Sequence, residues 1–196
     1  ADGAESSMCG NGGRCMTAFA QQLGLIRDRA HFLAIDGPHD SLVRPDGWVE
    51  LKMKDVDQIE TGDDFFLLNT GSPHYVVMVE DVDDINVVEN GQAIRYSRRF
   101  KKEGVNVNFV EPTAEGLVVA TYERGVEDET LSCGTGVTAA AIAYALGQSG
   151  AGNLSVPIIS KGGKLEVRLI RRADQTFEEI WLCGPAKMVF SGNIII

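Results

Sequence analysis

The sequence lacks the long apolar runs and the excess of basic residues that would indicate a membrane or nucleic-acid partner. Its longest Ala-rich stretch, residues 137–146, is ten residues long, whereas a membrane-spanning helix needs about 20. The 196 residues carry 18 Lys and Arg against 28 Asp and Glu, which gives a formal net charge of −10. An acidic chain is poorly suited to binding polyanions. We therefore expect no membrane and no nucleic acid among its partners.

Cysteine and histidine are scarce. The four cysteines are Cys9, Cys15, Cys133 and Cys183, with no CxxC pair, and the three histidines form no HxxxH pair. This spacing predicts neither a zinc site nor a disulfide scaffold. The chain starts Ala-Asp-Gly-Ala-Glu, without the basic region of a secretory signal. We therefore expect a cytoplasmic protein with reduced thiols.

Short apolar segments separated by turns predict more strands than helices. Helices are expected at residues 14–23, 87–96 and 137–146, and the last of them is apolar on all sides, which indicates a buried helix. Residues 187–190 are expected to form the final strand. Because short turns join many of the strands, we expect antiparallel sheet wrapped around a few buried helices.

An internal repeat is the strongest signal in the chain. Glu5-Ser-Ser-Met-Cys9-Gly10-Asn11-Gly12 matches Glu129-Thr-Leu-Ser-Cys133-Gly134-Thr135-Gly136, with a uniform offset of 124 residues from position 9 to position 133. Both segments lead into a predicted helix that ends in glycine. We interpret the match as duplication of a half-domain, and the alternative is two unrelated glycine-rich helix starts.

A Cys-Gly-x-Gly segment at the start of a helix offers a specific chemistry. The helix dipole and the unpaired N–H groups of the first turn favour a thiolate, so we expect lowered thiol pKa values. The glycines let a ligand approach the backbone and expose N–H groups to an anion such as a carboxylate. Asn11 and Thr135 add a polar side chain to each anion-binding turn.

Two such turns facing one cleft could invert a stereocentre next to a carboxylate. One thiolate would remove the α-proton from one face, and the opposite thiol would donate a proton to the other face. The alternative for Cys9 and Cys133 is a pair of buried structural thiols. Cys15 and Cys183 are expected to be buried structural residues.

Two further segments carry candidate residues. Thr70-Gly71-Ser72-Pro73-His74 is a predicted turn that delivers a histidine to the start of a strand, although such a residue is also common as a structural histidine. Glu123 and Arg124 end a predicted strand and could equally be a solvated surface pair.

These motifs resemble those of the diaminopimelate epimerase family. Segments similar to its two catalytic-cysteine motifs are Asp2-Gly3-Ala4-Glu5…Met8-Cys9-Gly10-Asn11-Gly12-Gly13-Arg14-Cys15 and Glu123-Arg124-Gly125…Glu129-Thr130…Cys133-Gly134-Thr135-Gly136. Segments similar to its histidine motif, its substrate-binding strand and its C-terminal motif are Gly71-Ser72-Pro73-His74, Asn106-Val107-Asn108-Phe109 and Gly184-Pro185-Ala186.

The resemblance implies a PLP-independent epimerase that uses no cofactor and no metal. Its substrate would be a small amino acid, diaminopimelate, in lysine and peptidoglycan-precursor synthesis. The implied catalytic set is the acid/base pair Cys9 and Cys133, supported by His74 and Glu123. The implied carboxylate-binding residues are Gly10, Asn11, Gly134 and Thr135, and those for the distal end of the substrate are Asn106, Glu123 and Arg124. A homodimer is also expected.

The resemblance further implies an α/β fold of the α+β type. Two pseudo-symmetric domains would each consist of a mainly antiparallel, barrel-like sheet around a central helix. We expect residues 1–56 with 186–196 to form the first domain and residues 57–185 to form the second. Family members extend some tens of residues before the first cysteine motif, so we expect this chain to lack part of the first domain.

The sequence departs from the family at Ser72, where the family usually has Asn, so a substrate hydrogen bond from this position would have a shorter reach. Proline racemases resemble the same architecture but usually have His in place of Asn11. Phenazine-type isomerases replace the first cysteine with an acidic residue. A racemase-like enzyme, or a non-catalytic redox or ligand-binding module with a reversible Cys9–Cys133 disulfide, remains the alternative.

Overall fold

The computed structural model describes residues 7–193. Glu5 of the first repeat and the Asp2-Gly3-Ala4 segment lie outside these residues, as do the outer ends of the first expected domain. The elements run in the order α1 (Gly10–Gln22), β1 (Arg29–Ala34), β2 (Gly37–Val43), β3 (Trp48–Lys52), β4 (Ile59–Thr61), β5 (Phe66–Asn69), β6 (Pro73–Met78), α2 (Val87–Arg95), β7 (Asn106–Thr113), β8 (Gly116–Glu123), β9 (Asp128–Thr130), α3 (Gly134–Gly147), β10 (Gly152–Ser160), β11 (Gly163–Arg171) and β12 (Phe177–Pro185).

The strands form one continuous, mainly antiparallel sheet. Its order is β1-β2-β3-β12-β11-β10-β8-β7-β6-β5-β4, with β9 paired to β8. The β10–β8 and β6–β7 pairs are parallel. The expected α+β class is confirmed, although the described strands follow an open path rather than closing into barrels.

The repeat extends from the motif to the topology. Helix α1 is followed by the antiparallel hairpin strands β1, β2 and β3, and α3 is followed in the same way by β10, β11 and β12. The third strands of the two sets pair with each other in antiparallel register, with Leu51 opposite Leu182. This pairing joins the two repeats within the sheet.

Helix α3 lies in the main hydrophobic core, as its sequence predicted. Nearly every residue from Gly134 to Ala145 is buried, and the helix packs against β5–β8 on one side and β10–β12 on the other. Its small side chains allow the strands to approach closely. Packing against strands on both sides fixes the position of the N-terminus of α3, and therefore the position of Cys133.

Helix α2 forms as predicted despite its internal glycine. A Cβ built on Gly91 would lie 2.4 Å from the Cβ of Tyr122, a fully buried residue of β8. The glycine therefore lets α2 pack closely on the second, smaller core formed with β7 and β8. Asn86 caps the helix by accepting a hydrogen bond from the Glu89 backbone N–H.

Several predicted boundaries were wrong. Residues 187–190 form no strand, and Val189 and Phe190 are more than four-fifths exposed. Helices α1 and α3 begin at Gly10 and Gly134, earlier than predicted, because each cysteine acts as the N-cap and the glycines after it adopt helical geometry. Strand β2 was missed because it opens with Gly37-Pro38, a pair that usually indicates a turn.

Within residues 7–193, no helix combines the length and the hydrophobicity that crossing a bilayer requires.

Candidate active site

A cavity of about 170 Å³ lies where the N-termini of α1 and α3 meet. All but one of the site residues predicted from the sequence line it. The lining members are Cys9, Gly10, Asn11, Ser72, Asn106, Glu123, Arg124, Cys133, Gly134 and Thr135. His74 lies behind Thr135. A larger groove of about 810 Å³ adjoins the cavity and shares Arg124 with it.

The two cysteines cap their helices with nearly the same backbone geometry. Cys9 has φ −114° and ψ 104°, and Cys133 has φ −108° and ψ 112°. The first turn closes alike in both helices, because Gly13 N–H donates to the Cys9 carbonyl at 3.0 Å and Val137 N–H to the Cys133 carbonyl at 2.9 Å. The sequence repeat is therefore also a repeat of local structure at the cavity.

Glycine is required where the two helices meet. A Cβ built on Gly10 would lie 2.6 Å from Cδ2 of Leu182, and one built on Gly134 would lie 2.9 Å from the same atom. The two glycine backbones also touch each other. Asn11 links the repeats by donating from Nδ2 to the Ser132 carbonyl at 2.9 Å, and Arg14 holds the Asn11 oxygen at 2.8 Å.

Cys133 is buried, and its thiol is harder to ionise than expected. Burial, followed by the nearby Glu123 carboxylate, raises its pKa to about 11, and the Thr135 hydroxyl opposes this rise. The predicted lowering of the thiol pKa is thus wrong for Cys133, since desolvation outweighs the hydrogen bonds from Thr135 and Gly136 that lower it.

Cys9 lies in a different environment. Its side chain is exposed, and its sulfur accepts a hydrogen bond from the Gly12 backbone N–H at 3.3 Å. The two cysteines therefore have nearly the same backbone geometry but differ in solvent exposure.

His74 is fully buried at the start of β6, as the predicted turn implied. Its Nε2 lies 2.8 Å from the Thr135 hydroxyl, and its Nδ1 lies 3.0 Å from Nδ2 of Asn108. Burial, together with the Arg124 cation, lowers the pKa of His74 to about 3. The ring is therefore neutral near neutral pH.

A second polar cluster, formed at the ends of β6, β7 and β8, lines the same cavity. Asn106 donates to the Ser72 hydroxyl at 2.9 Å and accepts from the Arg124 backbone N–H at 2.8 Å. The Arg124 guanidinium donates to the Glu103 carbonyl at 2.9 Å and lies 3.4 Å from the Ser72 hydroxyl. Arg124 is thus held by the fold rather than lying free on the surface.

The two remaining cysteines differ in burial. Cys183 is fully buried in β12, as predicted. Cys15 is exposed on α1, so its predicted burial is wrong. The helix turns Arg14, one position earlier, towards the interior, and this places Cys15 on the outer face.

The sequence reasoning missed Asn108 and Thr121. Both are buried: Asn108 contacts His74, and Thr121 donates to Asn108 at 3.0 Å. The signal for Asn108 was present, since it lies two positions after Asn106 on β7 and alternate residues of a strand share a face. The contact of Arg124 with Glu103 uses a backbone carbonyl, so the identity of residue 103 gives no indication of it.

Among the described residues, no three His, Cys, Asp or Glu side chains cluster in a way that could hold a metal ion.

Comparison with known proteins gives a consistent result. A family model described as diaminopimelate epimerase matches residues 66–189. A diaminopimelate epimerase of Flavobacterium psychrophilum is 44% identical over 195 residues, which cover 98% of this chain and 75% of that protein. One from Aquifex aeolicus is 38% identical over 205 residues, covering 98% of this chain and 71% of that protein.

Solved structures support the fold. A phenazine biosynthesis protein of the PhzF family from Bacillus anthracis superimposes with a TM-score of 0.75 at 12% identity, covering 97% of this chain and 77% of that one. A hydroxyproline epimerase from Agrobacterium vitis superimposes with a TM-score of 0.68 at 18% identity, covering 91% of this chain and 64% of that one. At these identities the likeness concerns the fold alone.

Proposed function

The chain belongs to the diaminopimelate epimerase family and is an isomerase that interconverts diaminopimelate isomers, and we propose that Cys9 and Cys133 perform this reaction as a proton-transferring pair. The observation that carries the proposal is the meeting of two cysteine-capped helix N-termini at one cavity. The pair would interconvert the LL and meso forms without a cofactor.

The proposed reaction uses one sulfur on each side of the α-carbon. A thiolate on one side takes the α-proton, and the C–H electron pair moves into the adjacent carboxylate as an enediolate. The opposite thiol then donates its proton to the other face, which leaves the inverted carbon and a new thiolate. The reverse reaction exchanges the two roles, so a site built from two similar halves suits it.

The turns at the helix starts would bind the reacting carboxylate. Gly10, Asn11, Gly134 and Thr135 line the cavity at the positive ends of both helices, and their backbone N–H groups would donate to the carboxylate. Charge that develops on the carboxylate would meet fixed dipoles that need no reorganisation. The energetically difficult step, formation of the carbanion, is the one that such dipoles stabilise.

The second polar cluster would bind the distal amino-acid end of the substrate. Arg124 offers a cation for a carboxylate, while Glu123 and Asn106 offer acceptors for an ammonium group. Ser72 lies between Asn106 and Arg124 and already receives hydrogen bonds from both, so its role would be to hold them in place. His74 acts through Thr135 and is a positioning residue.

The test compares cysteine variants during epimerisation in D₂O. The unaltered protein should incorporate solvent deuterium at the α-carbon. Cys9→Ser and Cys133→Ser should each lose most activity, whereas Cys15→Ser, which alters an exposed thiol outside the cavity, should retain it. Full activity in Cys133→Ala would overturn the two-thiol mechanism.

Thiol protection separates the epimerase from a redox module. A diaminopimelate analogue should protect both Cys9 and Cys133 from alkylation if the two sulfurs flank the substrate. A redox module would show oxidation of the pair and no protection by the analogue.

The wider setting is also a proposal. The reaction would serve lysine and peptidoglycan-precursor synthesis in the cytoplasm, where thiols stay reduced. We further propose the two domains to be residues 1–56 with 186–196 and residues 57–185, and the working form to be a homodimer. Analytical ultracentrifugation tests the homodimer.

A further inference from the structure

A line of buried hydrogen bonds ends at Cys133. Thr121 bonds to Asn108 at 3.0 Å, Asn108 to His74 at 3.0 Å, His74 to Thr135 at 2.8 Å, and Thr135 to the Cys133 sulfur at 3.4 Å. All five residues are at most 7% exposed. Water does not compete for these bonds, so the direction of each one is set by the groups themselves.

The orientation of the Asn108 amide determines which atom donates and which accepts in each hydrogen bond of this line. Its Nδ2 lies 3.3 Å from the Tyr75 carbonyl oxygen, and its Oδ1 accepts from the Thr121 hydroxyl. The flipped amide would place Oδ1 against the Tyr75 oxygen, which puts two acceptors together with no hydrogen between them. The Asn108 NH₂ group therefore faces His74.

This orientation fixes the tautomer of His74. An amide NH₂ can only donate, so the Nδ1 atom of His74 must accept. A neutral imidazole with an accepting Nδ1 carries its proton on Nε2. The Nε2–H group then donates to the hydroxyl oxygen of Thr135.

The hydrogen bond from Nε2–H of His74 determines how the Thr135 hydroxyl can bond to the Cys133 sulfur. Because its oxygen accepts from His74, its single hydroxyl hydrogen is free to point at the Cys133 sulfur. A thiolate can only accept hydrogen bonds, so this hydrogen favours the form that removes a proton. Cys9 has the Gly12 backbone N–H for the same purpose, and at Cys133 the Thr135 hydroxyl acts together with the equivalent backbone N–H, that of Gly136.

We infer that Asn108 is a positioning residue for Cys133: it holds His74 as the Nε2–H tautomer, so that the Thr135 hydroxyl donates to the sulfur. The role of the Cys133 thiolate rests on the proposed function. The tautomer and the direction of the line do not depend on turnover and can be measured without substrate.

The first measurement needs no variant. Histidine ¹⁵N chemical shifts distinguish a protonated from an unprotonated ring nitrogen, and the chain has 3 histidines, so His74 can be assigned by comparison with His74→Gln. The expected result is a proton on Nε2 and none on Nδ1. A proton on Nδ1 would overturn the inference, whatever the enzyme activity. Absence of epimerisation together with an Nε2–H ring would instead count against the proposed function alone.

The second measurement uses two variants that each remove one buried partner from the line. Asn108→Leu removes the donor to His74, whereas Thr121→Val removes the hydroxyl on the far side of the amide and leaves Nδ2 donating. Iodoacetamide alkylation is followed separately at Cys133 and Cys9 by peptide mass. Asn108→Leu should slow alkylation of Cys133 by about tenfold, the worth of a hydrogen bond to a charged group, and leave Cys9 unchanged.

The control decides between positioning and general stability. Thr121→Val should change the Cys133 rate by less than about twofold, and the Asn108→Leu effect should vanish in a Thr135→Val background, where no hydroxyl remains to be oriented. Equal slowing in Asn108→Leu and Thr121→Val, or an undiminished Asn108→Leu effect without the Thr135 hydroxyl, would contradict the inference.

Discussion

The backbones of Gly10 and Gly134 touch: a Cβ built on Gly10 would lie 3.1 Å from Cα of Gly134, and one built on Gly134 would lie 2.9 Å from Cα of Gly10. The residues are equivalent positions of the repeat, so the contact is where its two halves meet. Each follows a cysteine, and their close approach is what brings Cys9 and Cys133 to one cavity.

Gly134→Ala should therefore destabilise the protein. The added methyl group would meet backbone as well as Leu182, and backbone at a helix junction cannot move aside, so we expect a loss of about 1–3 kcal/mol in the free energy of unfolding. Urea denaturation measures it. The matched control is Gly12→Ala, whose Cβ would meet nothing closer than 3.5 Å. Equal stability of the two variants would contradict the tight junction.

Gly104→Ala should weaken substrate binding through Arg124. Gly104 has φ +77°, and its added Cβ would lie 2.5 Å from Cδ of Arg124. Moving the guanidinium should raise KM by about tenfold, the loss of one charge-assisted contact, with a smaller change in kcat. Gly150→Ala, at φ +85° with open space around it, carries similar backbone strain and should leave KM unchanged. A rise in KM in both variants would indicate strain rather than displacement of Arg124.

His74 should make stability depend on pH. Its pKa in the folded protein, about 3, lies below the ordinary value of 6.5. The unfolded chain therefore binds a proton that the folded chain excludes. The resulting stability is complete above about pH 6.5 and is lost as the pH falls towards 3, by about 1.4 kcal/mol per pH unit.

Urea titrations of the wild type and His74→Gln between about pH 7 and pH 4 test this slope. Glutamine does not titrate, so the variant should lose less stability per pH unit, while the carboxylates contribute alike to both proteins. Parallel curves would show that His74 is not held neutral in the fold.

Glu123→Gln should make Cys133 more reactive. The Glu123 carboxylate is the charge that adds most to the effect of burial in raising the thiol pKa. Its neutralisation should lower that pKa and speed iodoacetamide alkylation of Cys133 several-fold at about pH 8. Glu115→Gln, which removes an exposed charge on the β7–β8 turn, should have no effect. Slower alkylation in Glu123→Gln would reverse the proposed sign.

Much of the site was predictable because it is local in sequence. The Cys-Gly-x-Gly repeats indicated that a helix follows each cysteine, and the Ser72-Pro73-His74 turn identified the histidine. The ionisation of Cys133 was not predictable in this way. It depends on burial, which outweighs the hydrogen bonds from Thr135 and Gly136 and which a local motif does not reveal.

The fold was predictable where the pattern was strong and failed where packing decides. The apolar helix α3 was identified as buried. Residues 187–190, of which the last three are apolar, pair with no strand among the described residues and stay irregular. The pairing of β3 with β12, which joins the repeats, involves residues about 130 positions apart and leaves no local signal.

Isomer-specific hydrogen exchange tests the two-thiol account most directly. With Cys133→Ala, only Cys9 can remove the α-proton, and it faces one side of the carbon. With Cys9→Ala, only Cys133 can remove the α-proton, from the opposite side of the carbon. Each isomer is incubated with each variant in D₂O, and α-deuterium is followed by NMR. The account predicts that the two variants label opposite isomers and epimerise neither. Labelling of the same isomer by both variants, or of both isomers by one, would contradict it.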